Sequence, residues 1–292
     1  MKKIFSILTI IAVMTIGGIV LAKTTAKAGT AKYDLKYYNA YMKALDKVDD
    51  SSLSSTEGTW EPTSTLEYSK EHAVEPGERA VQVTETSKAA IRDYLKDYDF
   101  LEWERFEKTQ PMATKIKKEG VRAFYDLESN CIYIDAEKMD QETVTHELLH
   151  ALTTNYEIMS SVFYEGFTEY LAQQITPTGG GSYLHAYVFA EAYVQAYGLE
   201  KALRDYMADT ATDDIDEKLG VPRYTNNIEL CIWSVSRGAL DAFPQEVAIE
   251  GYYYYVKALG IEPSEKSEYM IKLLPYSNGY KEGAVDYLNS LK

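Results

Sequence analysis

Residues 146–150 read His-Glu-Leu-Leu-His, and this pentapeptide constrains the fold more than any other stretch of the chain. The chain has only four histidines, and two of them stand four residues apart around a glutamate. An α-helix turns about 100° per residue, so a helix here stacks His146 over His150, one turn apart on one face. Both imidazoles can then reach a single ion at about 2.0–2.1 Å, the usual zinc–nitrogen distance. Glu147 is rotated one step around the helix and addresses the open side of the ion. A carboxylate there accepts a proton from zinc-bound water, whose pKa falls to about 7. Two ligands and a base on one turn are what metal-assisted amide hydrolysis requires.

The flanking sequence favours that helix. Asp140 is an N-cap residue, with Gln141 and Glu142 in the first turn, where the dipole favours acceptors and anions. Val144, Leu148, Leu149 and Leu152 supply apolar surface for the remaining faces. Upstream, two β-prone runs at 121–125 and 131–135 flank a turn cluster at 126–130, which predicts a hairpin. Its exposed edge offers backbone pairing to an extended peptide.

A second segment, Tyr164-Glu-Gly-Phe-Thr-Glu-Tyr170, begins fourteen positions after His150. The pattern predicts a helix over 162–174, capped by Ser160 or Ser161, with Phe163, Phe167, Tyr170 and Leu171 available for packing. Glu165 and Glu169 share one face, one turn apart. The expected assignment is Glu165 as third metal ligand. Glu169 then accepts the free ring N–H of a ligand histidine, which fixes its tautomer. Glu157 and Glu169 stay open as other ligands. A different zinc motif, with Gly and His three and six residues after the second histidine, does not fit, because Thr153 and Tyr156 stand there.

Taken together, His146-Glu-Leu-Leu-His150 and Glu165-Gly-Phe-Thr-Glu169 resemble the gluzincin clan of zinc metallopeptidases, over roughly residues 119–175. The resemblance implies a zincin-like domain, one zinc ion held by His146, His150 and Glu165, and Glu147 as general base. It also implies Glu169 behind a ligand histidine, as in the thermolysin-like branch, and a peptide or protein substrate. Tyr164 stands where that clan usually has Asn, and the spacing from His150 to Glu165 is shorter than in the thermolysin-like and aminopeptidase N-type branches. The likeness is therefore to the clan and not to a branch. Clan members stabilise the oxyanion with a His or Tyr from across the cleft. His185, the only histidine downstream of the motif, is the residue offered for that catalytic part, flanked by Tyr183 and Tyr187 after Gly179-Gly-Gly181. The alternative of a different class is a catalytically degenerate zincin-fold surface protein that binds partners without cleaving them.

Lys2 and Lys3, the apolar stretch 4–22 and Ala26-Lys-Ala28 read as a signal peptide over residues 1–28, or as an uncleaved anchor. The expectation is a secreted or cell-surface protein that meets a membrane only through that segment if it stays uncleaved. The whole chain carries a net charge of −15; without the four leader lysines, 26 basic residues face 45 acidic ones, a net charge of −19. Such an excess disfavours nucleic acid and anionic membranes as partners. Cys131 and Cys231 are the only cysteines, open to one bridge or to buried thiols.

Residues 29–84 read as a linker or pro-segment, a spacer from the cell surface or a small accessory layer, with a short helix over 33–48 and a linker stretch rich in Ser, Thr and acids over 49–65. A zinc-binding catalytic half is expected over 85–181, opening with a helix through 89–106. A helical C-terminal half follows over 182–292, with segments near 183–197, 199–209, 226–242, 245–259, 266–274 and 282–291, and the cleft between the halves. The fold class is thus α+β: a small sheet or hairpin and metal helices, then a mostly helical half. The run Tyr252–Tyr255 predicts some rings in the core and some on the surface, since consecutive helical residues cannot share a face.

Overall fold

A computed structural model describes residues 62–117, 120–153, 161–176, 183–208, 213–220, 224, 225, 228, 245–263, 286 and 289–291. Among these, one compact unit takes in residues from 62 to 153 and from 167 to 183, and a second takes in 161–166 and those from 184 onward. Helices with one small sheet make the described chain loosely α+β.

The first unit runs α1 (Pro62–Glu71), α2 (Glu78–Leu95), α3 (Trp103–Lys108), β1 (Gln110–Thr114), β2 (Ala123–Asp126), β3 (Cys131–Asp135), α4 (Gln141–His150) and most of α5 (Ser161–Ile175). The hairpin expected from the two β-prone runs is β2–β3, antiparallel with Ala123 opposite Ile134 and Asp126 opposite Cys131. Its turn is closed by Asp126, whose Oδ2 accepts from the Ser129 amide at 2.9 Å and from its hydroxyl at 2.6 Å. Asn130 then takes a left-handed φ of 51°, a conformation Asn tolerates better than most residues.

The sequence did not announce β1. It pairs parallel to β3, giving the order β1-β3-β2, and carries Pro111. Proline is confined to sheet edges, and β1 is one. Ala113 exchanges both backbone hydrogen bonds with Val74 on the outer side, at 2.8 and 2.9 Å. Pro111, two residues earlier, has the same outward phase, so its missing N–H costs no ladder bond.

Two expectations need correction here. The helix expected over 89–106 is instead two helices, α2 ending at Leu95 and α3 starting at Trp103. The break falls on Asp97-Tyr-Asp99, poor helix formers, and is fixed by the Trp103 indole N–H donating to the Tyr98 carbonyl at 2.9 Å. The boundary expected after residue 84 falls inside α2. The chain is already packed from α1: Thr114 donates to the Ser69 carbonyl at 2.7 Å, and Lys70 pairs with Asp126 at 2.6 Å. The polar composition that reads as linker conceals this, because Ser69, Thr84 and Ser87 are themselves buried.

α2 packs against α4, and Ile91, Leu95, Val144, Leu148 and Leu149 are buried in that core. Lys88 is buried with them and donates to the Glu107 and Thr109 carbonyls at 3.1 and 2.8 Å, satisfying the C-terminal end of α3. Burial pulls its ammonium pKa below the usual lysine value.

The second unit contains the start of α5, then α6 (Leu184–Tyr197), α7 (Leu199–Ala208), α8 (Asp213–Leu219) and α9 (Gln245–Ala258). Gly198, at φ +84°, provides the left-handed residue that separates α6 from α7. α8 was not anticipated. The expectation that Tyr252–Tyr255 splits between core and surface is wrong: all four are at most 8% exposed. α9 is buried on every face there, and the hydroxyls of Tyr252 and Tyr255 find backbone partners. Tyr252 donates to the Val188 carbonyl and Tyr255 to that of Phe189, each at 2.9 Å.

The leader, the helix expected over 33–48, the Gly179–Gly181 segment, Cys231 and the segments near 266–274 lie outside the described residues. So do most of 226–242 and 282–291. Among the described residues no helix is long and apolar enough to cross a membrane.

Candidate metal centre

α4 is held at its N-terminus by Asp140. Its Oδ1 accepts from the Thr143 amide at 2.8 Å, as an N-cap should, and its other oxygen pairs with Arg122. Burial pushes the Asp140 carboxyl up, but Thr143 and Arg122 together outweigh it and hold the group below the ordinary aspartate value. The helix packs on α2, β2 and β3, which buries its apolar faces and leaves His146, Glu147 and His150 on the remaining one.

Both histidines are buried, their rings meeting edge to face with centroids 5.0 Å apart. Nδ1 of His146 lies 3.0 Å from Oε2 of Glu169, which is also buried. The other Glu169 oxygen accepts from the Gln173 amide at 2.9 Å. A carboxylate behind Nδ1 favours the tautomer with its proton there, which leaves the Nε2 lone pair for a metal ion. The Thr168 hydroxyl stands 3.5 Å from His150 Nδ1.

α5 carries Glu165 one turn before Glu169, as the spacing predicts. One ligand atom each from His146, His150 and Glu165 lie within 4.8 Å of one another, and these three residues could hold a metal ion. Two imidazoles and a carboxylate match the chemistry of a zinc site that keeps a position open.

Glu147 is half-buried, and its Oε2 accepts from the backbone N–H of Tyr125 at 2.8 Å. That amide has an outward phase on β2: Asp135 donates to the Arg122 carbonyl, so residues 122, 124 and 126 exchange bonds with β3, while 123 and 125 face away. The edge strand and the glutamate are therefore joined directly. No sequence signal could find this, since every residue but proline has a backbone N–H.

His185 is placed by its backbone in the first turn of α6; its side chain lies outside the described residues. Its neighbour Tyr183 stacks on the His146 ring, with centroids 5.2 Å apart and planes 16° from parallel. Gly166 explains the glycine of the second motif. A Cβ there would lie 2.4 Å from the carbonyl oxygen of Ala186 in α6, so only glycine permits that approach. Gln173, four residues after Glu169, has a spacing that would have identified it.

In comparisons with protein-family models, curated proteins and solved structures, nothing matches this chain.

Proposed function

We propose that this protein is an exported zinc-dependent peptidase, in which His146, His150 and Glu165 hold the metal and Glu147 acts as general base. The observation that carries the reading is the convergence of those three donor atoms within 4.8 Å, with Glu169 at 3.0 Å behind His146. Bound zinc would supply a Lewis acid that polarises a carbonyl and makes water acidic enough to deprotonate near neutral pH. Glu169 keeps the proton on His146 Nδ1, so that Nε2 stays available as a donor. Glu147 takes a proton from the attacking water and returns it to the leaving amine nitrogen; the Tyr125 N–H on Oε2 steadies that carboxylate. β2 is an edge of the sheet and is bonded to Glu147, so an extended peptide laid along it would pass the base. This favours a peptide substrate over a small amide. Export rests on the leader-like residues 1–28, and the acidic excess leaves nucleic acid out of the picture.

The test is Glu147→Gln, assayed against a peptide library with metal content measured alongside. Retained zinc with hydrolysis reduced by about 10²–10⁴-fold is expected. Undiminished hydrolysis would sink the assignment. Cleavage of no peptide by the zinc-loaded wild type would turn the reading to a binding protein on the same scaffold.

A further inference from the structure

We infer that Tyr183 is a positioning residue for His146: its ring fixes the plane in which the imidazole presents Nε2 to a metal ion. The inference rests on the zinc reading above and extends it to a residue outside both motifs. The terminal torsion of histidine is broad, so rotamer preference alone does not set the ring plane. The Glu169 contact directs Nδ1, but carboxylate oxygens accept over a wide range of angles, and the ring can still tilt about that bond. A second constraint on the face of the ring removes the tilt. Tyr183 supplies it, lying 16° from parallel with centroids 5.2 Å apart, the offset stack that aromatic pairs prefer. His150 meets the same ring with planes 79° apart and so does not stack on it. Tyr183 immediately precedes α6. It is half-buried, and the stack covers one face of His146.

A ring-plane role and a general packing role differ in what they predict. Zinc affinity is measured on the purified protein by competition with a chelator, for wild type, Tyr183→Phe and Tyr183→Leu. Thermal unfolding of the metal-free forms and the visible spectrum of the cobalt-substituted forms are recorded in parallel. Loss of the stack should weaken zinc binding about three- to tenfold in Tyr183→Leu and shift the cobalt bands. Tyr183→Phe, which keeps the plane, should stay within about twofold of wild type on the same argument. Combining Tyr183→Leu with Glu169→Gln should lose less than the product of the single losses, because both act through one ring. Should the leucine variant fail to fold, Tyr183→Met keeps the bulk without the plane and carries the same comparison. Wild-type affinity in Tyr183→Leu overturns the inference, as does a Phe variant as weak as the Leu one, which would put the effect on the hydroxyl. A wild type that takes up no zinc fails the underlying reading instead, and the two failures are told apart by that one lane.

Discussion

Glu169 is the residue whose environment is most completely accounted for: buried, with one oxygen on His146 and the other on Gln173. Replacing it by Gln keeps the shape and removes the charge that holds the Nδ1 proton. Glu169→Gln should weaken zinc binding about 10–100-fold while leaving the fold intact, measured by chelator competition beside circular dichroism. Affinity equal to wild type would reduce Glu169 to a packing residue. At this scale the sequence was informative where chemistry is local. The i,i+4 spacings that bring His146 to His150, and Glu165 to Glu169, are properties of any helix, and the residue types name what they can do. The Tyr125 amide and the Tyr183 stack were hidden for opposite reasons. The first has no side-chain signature, and the second depends on how the chain returns 37 positions after His146.

Among the elements, α4 and α5 were legible because caps, periodicity and packing residues agreed along each of them. β1 and the α2–α3 break were not. A parallel edge strand with a proline lacks the alternation that marks a strand, and a break fixed by an indole-to-carbonyl hydrogen bond leaves no pattern. The buried Ser69 and Thr84 misled in the same way, since composition reports polarity and not burial. Two predictions belong here. Gly166→Ala forces a Cβ against the backbone of Ala186 and should destabilise the protein by about 1–3 kcal/mol by urea unfolding, with zinc affinity falling as α5 shifts. Unchanged stability would mean that the approach of α5 to α6 is looser than its geometry. A chain beginning at residue 85 loses α1, the Val74 pairing and the start of α2, and should not unfold cooperatively, whereas one beginning at residue 58 should. Cooperative unfolding of the shorter chain would restore the linker reading of 62–84.

For the whole molecule, acid stability follows from three aspartates of the first unit. Burial opposes ionisation at Asp126, Asp135 and Asp140, yet each is held below the ordinary aspartate value: Asp126 by Lys70 and Ser129, Asp135 by Lys138 and the amides of Glu137 and Ile116, Asp140 by Thr143 and Arg122. A carboxylate with a depressed folded pKa adds stability above its unfolded value, about 3.9, and loses it as pH falls through the folded value. The contribution of these groups is therefore full near neutrality and disappears below about pH 4. Urea midpoints should be flat in that contribution from about pH 7 to 5 and drop steeply below 4; a midpoint unchanged to about pH 2.5 would contradict the assignment.

The central claim is that three side chains from two helices hold one zinc ion. Elemental analysis of the purified protein beside Glu165→Ala tests it most directly. The account predicts one zinc per chain in the wild type and loss or marked weakening in the variant. A wild type without zinc that also takes up none when it is added, or a Glu165→Ala variant that binds as the wild type does, would contradict it.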